Sequence, residues 1–300
     1  MKFIQYVLLL VIILTPVYSE ATSIRLGFNS WYAFWILPSP VLESQLMYIG
    51  ETSDIFYPPD IINRTYIKKN FMYGPNICIN LPENISIMSM FLFGQFSATK
   101  KNQYFGNIVI MDKMGVVERY ECDTKIRYSF NKILNLSMGF TYNHTSNHIL
   151  RIFTSYSDFF MAGKKVITDT TNEYIPLIGI GFSIPIINNM LTFNIDPAFL
   201  FCFSDQVTEQ YYIGKTESSS IITYIPSNIT QSNVNKIGMN ASCSIDYFIS
   251  AVSIDLSLGF RYQMLYKLKK VEEASMSFEH IFGITASVDY CITKNMFKAH

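Results

Sequence analysis

From Arg119 to Arg127 every second side chain is charged: Arg119, Glu121, Asp123, Lys125 and Arg127. Interleaved with them are Tyr120, Cys122, Thr124, Ile126, Tyr128 and Phe130. A period of two is the strand period, because successive side chains leave opposite faces of an extended chain. The segment is therefore a strand with an ionic face and an aromatic–aliphatic face, and each face requires a different medium. Glu118 is the one charge on the wrong face, at the end of the strand away from Phe130.

The same alternation recurs along the chain. Leu134, Leu136, Met138, Phe140 and Tyr142 oppose Asn135, Ser137, Gly139, Thr141 and Asn143. Leu191, Phe193, Ile195, Phe199, Phe201 and Phe203 oppose Thr192, Asn194, Asp196 and Ala198. Leu256, Leu258, Phe260, Tyr262 and Met264 oppose Ser257, Gly259, Arg261 and Gln263. Ten strands follow, over 24–35, 71–81, 85–97, 105–130, 133–153, 174–186, 190–203, 237–248, 251–266 and 278–292. The strand 85–97 is apolar on both faces, so its orientation stays open. The strand 105–130 is too long for one crossing. If Asp112 to Gly115 breaks it, an outer hairpin is added and twelve strands is the alternative count.

The connections alternate in length. Pro82-Glu83-Asn84, Asn131-Lys132, Ile187-Asn188-Asn189 and Phe248-Ile249-Ser250 are tight turns. Between them lie polar segments at 36–70, 98–104, 154–173, 205–236 and 267–277, with 36–70 and 205–236 the longest. A lipid bilayer admits strands only in a closed barrel, where every backbone polar group is paired. Short turns at one end and long loops at the other are the pattern of bacterial outer-membrane barrels. A soluble sandwich also has one apolar face per strand, but its strands are shorter than these. The chain thus resembles bacterial outer-membrane β-barrels as a class, over nearly all of its mature length. The fold expected is all-β: a single up-and-down antiparallel transmembrane β-barrel of about ten strands. Its polar set, including Arg119, Glu121, Asp123, Lys125 and Arg127, is expected to point into the lumen.

The first residues, MKFIQYVLLLVIILTPVYSEATS, carry Lys2, an apolar run from Phe3 to Ile13, and a small residue at Ser19. They read as a secretory signal peptide over 1–19, with the barrel over 20–300. Export to the bacterial outer membrane is the expected localisation. With 49% hydrophobic residues, 15% charged and a net charge of zero, no global field attracts nucleic acid. Five cysteines, Cys78, Cys122, Cys202, Cys243 and Cys291, form no CxxC pair and signal neither a disulfide framework nor a zinc site. No cofactor and no metal is expected.

One constellation carries chemistry. His144 and Ser146 are two residues apart on a strand, so imidazole and hydroxyl share a face, and it is the lipid-facing one. A histidine within reach of a serine acts as its base if a third group orients the ring. The segment His144-Thr145-Ser146-Asn147 resembles the His-x-Ser-Asn segment of outer-membrane lipid A 3-O-deacylase and outer-membrane phospholipase A. That resemblance implies His144 as base, Ser146 as nucleophile, Asp158 as the orienting acid, and membrane lipid or lipopolysaccharide-type lipid as the partner.

Three functions compete. A surface-exposed barrel would act through its external loops. A pore would conduct through its lumen, although ten strands enclose little free space and cross-pairing of the β-strand 119–127 charges with Asp196, Asp246, Asp255 and Arg261 would fill it further. A lipid-facing serine esterase would use His144 and Ser146.

Overall fold

The computed structural model describes residues 23–37, 66–96, 100–105, 108–155, 163–187, 190–215, 222–268 and 278–293. The stretch read as a signal peptide, most of the loop 36–70 and Asp158 lie outside the described residues. Eleven strands form one antiparallel sheet: β1 (Ser23–Leu37), β2 (Tyr66–Asn80), β3 (Ile85–Phe96), β4 (Lys100–Phe105), β5 (Ile108–Ser129), β6 (Leu134–Ser155), β7 (Gly163–Ile187), β8 (Leu191–Lys215), β9 (Ile222–Ile249), β10 (Ile254–Lys267) and β11 (Phe278–Thr293).

Strand β1 pairs with β11, and β3 pairs with β5 from Ile85–Tyr128 to Phe96–Val117. Those two pairings close a ring of ten strands. Strand β4 stands outside the ring, paired with the upper part of β5 as an outer hairpin. The register slips between Met114 and Val117, where the upper hairpin meets the membrane-length strand. Strand β5 thus runs unbroken through Asp112–Gly115, where a break was expected, with only this slip in its pairing; the division falls between Phe105 and Ile108 instead, and the ring keeps ten strands.

Tight turns close one end. Glu83 and Asn84 both adopt positive φ, 64° and 63°. This left-handed pair is the twist a two-residue hairpin needs, and asparagine tolerates it well. At the next turn the Asn131 side-chain oxygen accepts from the Ile133 and Leu134 amides, at 2.8 and 2.7 Å. The fourth turn falls at Ser250–Ser253 rather than at 248–250, so Val252 belongs to the turn and not to a strand.

Strand lengths divide the barrel into two sides. β1, β2, β3, β10 and β11 have 15, 15, 12, 14 and 16 residues. β5 to β9 have 22, 22, 25, 25 and 28. About 9–11 tilted residues cross a bilayer, so the shorter set suffices for crossing and the longer set projects well past it as a wall. This corrects the loops read at 154–173 and 205–236. Much of each is strand, over 163–173, 205–215 and 222–236. Above the bilayer most side chains on both faces are partly exposed, so no apolar face marks the strand.

Inside and outside follow the alternation. Phe199 is 70% exposed and Leu258 62%, and exposed Ile, Phe, Tyr and Leu surround the ring. On β3 the even residues Leu92, Gly94 and Phe96 are buried while Phe91 and Gln95 are exposed, which fixes the orientation left open by sequence. The lumen is filled. Trp31, Ala33, Trp35, Met72, Leu92, Phe96, Val117 and Ile281 pack together inside it. A second group, Ile175, Leu177, Leu200, Cys202 and Leu265, packs across from them.

Candidate functional site

Two arrangements of polar side chains stand out, one in the lumen and one on the outer face. In the lumen, Arg119 and Glu121 are almost wholly buried, 1% and 0% exposed. Arg261 on β10 pairs with Glu121 at 2.6 Å, and Arg119 lies 3.6 Å from the same carboxylate. Arg119 also reaches Glu279 on β11 at 3.7 Å. Lys236 on β9 bridges Glu279 at 3.0 Å and Glu173 on β7 at 2.5 Å. Asn143 and the Trp35 indole donate to two carboxylates of this chain, Glu173 and Glu279, at 3.2 and 2.9 Å. Three acids and three bases thus alternate from β7 across to β10. The two guanidiniums lie over aromatic faces, Arg119 on Trp35 at 4.9 Å and Arg261 on Trp31 at 4.6 Å.

Charges taken out of water need partners of opposite sign and aligned donors. Here every member of the chain has an opposite charge next to it, and the stacked tryptophans cover the guanidinium planes. Toward the tight turns the pairs become separate. Lys125 meets Asp123 at 2.8 Å, Arg127 meets Asp196 at 3.0 Å, and Arg25 meets Asp255 at 2.8 Å. Of the partners expected for the β5 charges, Asp196 and Arg261 take that role. Asp255 pairs with Arg25 instead, and Asp246 accepts from Asn194 and Ser244. Glu173, read from sequence as a loop residue, is 3% exposed and lies in the lumen.

On the outer face, β6 brings Tyr142, His144 and Ser146 to one side, opposite the buried Thr141 and Asn143. Asn172 of β7 is in register with His144. Its Oδ1 lies 2.8 Å from His144 Nδ1 and accepts from the Tyr142 hydroxyl at 2.9 Å. An amide oxygen only accepts, so Nδ1 carries a proton, and in the neutral ring Nε2 keeps its lone pair. The imidazole is thereby held in the tautomer that can take a proton from a hydroxyl. Ser146 lies one strand repeat further along the same face, in register with Glu118 of β5 and Thr170 of β7. The Tyr120 ring stands 5.8 Å from the imidazole.

The orienting group at His144 is Asn172. Asp158 lies outside the described residues. Sequence reading missed Asn172 because the contact depends on the β6–β7 register, which no local pattern reveals. The β-branched run Val166-Ile167-Thr168 beside Thr170-Thr171 was the available signal that this stretch is strand. Among the described residues, no group of three His, Cys, Asp or Glu is placed to hold a metal ion.

The chain is a closed antiparallel barrel of ten strands with an apolar outer face. No protein-family model matches it, and no curated protein does. Solved structures similar to it include the outer membrane protease OmpT from Escherichia coli, at 12% identity and TM-score 0.48, covering 90% of this chain and 97% of that one. The translocator domain of the autotransporter NalP from Neisseria meningitidis is similar at 10% identity and TM-score 0.44, covering 96% and 97%. A major outer membrane protein from Thermus thermophilus is similar at 10% identity and TM-score 0.31, covering 89% and 99%.

Proposed function

We propose that the protein resides in a bacterial outer membrane with its lumen closed, and works at its lipid-facing and external surfaces rather than as a pore. The observation that supports this most is the alternating chain Glu173–Lys236–Glu279–Arg119–Glu121–Arg261, which crosses the lumen between packed apolar side chains. A water-filled path would have to separate these pairs. Small barrels have interiors that side chains fill, whereas open channels belong to barrels of about sixteen strands or more. Reconstituted in a planar bilayer at neutral pH, the purified protein is expected to show no steady ohmic conductance. A stable open level in most insertions would end the closed-lumen reading.

A second reading adds an activity to that closed barrel: acyl-ester hydrolysis of membrane lipid at the outer face. What favours it is the His144–Asn172 hydrogen bond, which leaves Nε2 as a base on the face that carries Ser146. Histidine would take the serine proton as the hydroxyl attacks an ester carbonyl and return it to the alcohol that leaves; water, deprotonated by the same ring, would then release the fatty acid from the serine, with Asn172 holding the ring throughout.

A further inference from the structure

Between Val116 and Phe130, the charge that the alternation does not explain is Glu118. It leaves the barrel on the same side as Tyr120 and Cys122, while Val117, Arg119 and Glu121 are buried inside. Phe130 at the tight-turn end and Tyr120 are ten residues apart, about the length that crosses the hydrocarbon. Glu118 therefore sits just beyond the upper aromatic girdle, at the depth of lipid headgroups.

The carboxylate is held in place. Gln95 Nε2 donates to Oε1 at 3.1 Å, and the Tyr120 hydroxyl donates to Oε2 at 3.5 Å. Among the residues whose side chains are described, no Lys or Arg forms an ion pair with it. Aromatic rings stand directly below: Phe93 packs on Tyr120 at 4.9 Å, and Tyr120 faces His144 at 5.8 Å.

Strand register extends this corner into a shelf. Tyr120, His144, Asn172 and Asp205 lie in one cross-strand row, and Glu118, Ser146 and Thr170 in the row above. Both rows face outward, over a lower aromatic row of Tyr142, Tyr174 and Phe203. The shelf offers carboxylates at its two ends, hydroxyls and an amide between them, and aromatic faces beneath. Carboxylate with aromatic faces is the chemistry that recognises an ammonium group. Hydroxyls and amide suit the polar part of a phospholipid.

We propose that this shelf binds a phospholipid whose headgroup carries an ammonium, with Glu118 and Tyr120 holding the ammonium. A lipid without that group, or one with extra phosphate charge, meets repulsion from Glu118 and Asp205. The site rests on the reading that the outer face meets lipid, and it would set the headgroup class for any hydrolysis at Ser146.

The test uses the mature protein in detergent micelles, titrated with short-chain phosphatidylethanolamine or phosphatidylglycerol of identical acyl chains. Binding of the first lipid is followed by native mass spectrometry. The wild type should bind phosphatidylethanolamine about tenfold more tightly than phosphatidylglycerol, a typical gain for an ammonium on a carboxylate and an aromatic face. Glu118→Gln should bring the two lipids together. Tyr120→Leu, which keeps the carboxylate, should weaken phosphatidylethanolamine severalfold. Equal affinities in the wild type, or an unchanged preference in Glu118→Gln, would overturn the site. Soluble phosphoethanolamine binding as tightly as the lipid would overturn its assignment to a membrane source. Heat-modifiable migration of each variant shows that the barrel is folded. A wild-type chain that stays monodisperse without detergent would overturn the membrane reading and the site together, whereas a detergent-bound barrel without headgroup preference overturns the site alone.

Discussion

Replacing Glu121 with leucine is expected to lower the unfolding free energy of the barrel by about 3–5 kcal/mol, the cost of leaving buried charge without its partner. Glu121 is the hub of the lumen chain, shared by Arg261 at 2.6 Å and Arg119 at 3.6 Å. After the substitution Arg119 still has Glu279 within reach, but Arg261 loses its carboxylate partner. The double substitution Glu121→Leu with Arg261→Met removes both members of that pair. It should therefore be markedly more stable than Glu121→Leu alone, because apolar replacement of a whole buried pair is often near neutral. Urea unfolding of the barrel in lipid vesicles, followed by the heat-modifiable gel band, gives both numbers. A Glu121→Leu loss below about 1 kcal/mol would place the network in water rather than in a packed lumen.

The second large effect concerns the outer face. If the barrel hydrolyses lipid esters, Ser146→Ala is expected to reduce fatty-acid release by on the order of a thousandfold or more, as removal of a nucleophile does. Asn172→Leu should leave Ser146 and His144 in place but free the Nδ1 proton. The ring can then turn or change tautomer, and the rate should fall by about a hundredfold, a typical contribution of a positioned base. Tyr142→Phe removes the second donor to Asn172 and should cost much less, since the His144 bond remains. Phospholipid and lipid A are both assayed. Equal rates for wild type and Ser146→Ala on both substrates would remove the hydrolase reading and leave the closed barrel as it stands.

How much of this was legible in sequence depends on the medium around each residue. Between Arg119 and Phe130 the bilayer and the packed lumen impose opposite demands, so the alternation is sharp and both faces can be read. Beyond the bilayer the demands vanish. Thr168 to Glu173 and Gln206 to Glu209 carry no apolar face, and their strands look like loops until the cross-strand pairs Asp169–Thr208 and Glu173–Ser204 are seen. Glu173 shows the consequence: it is a buried partner of Lys236, yet the residues just before it in sequence are all polar.

The candidate site divides in the same way. That His144 and Ser146 share a face follows from spacing within one strand. That Asn172 meets His144 follows from register between two strands, set by the Leu134–Phe182 to Phe153–Gly163 pairing. Register between strands depends on turn geometry and on which faces are buried together. In sequence the connection from β6 to β7 reads as the loop 154–173, which offers no tight turn to fix it. Glu118 was visible as an exception to the pattern, and only the positions of Gln95, Tyr120 and Phe93 give it a role.

Strand β5 divides lipid from a packed lumen by parity. A spin label placed singly at each position from 120 to 128, in the barrel reconstituted in lipid vesicles, reads this directly through oxygen accessibility. High lipid-phase accessibility is expected at 120, 122, 124, 126 and 128, and low accessibility at 121, 123, 125 and 127. Accessibility without a period of two, or with its maxima at 123, 125 and 127, would contradict it.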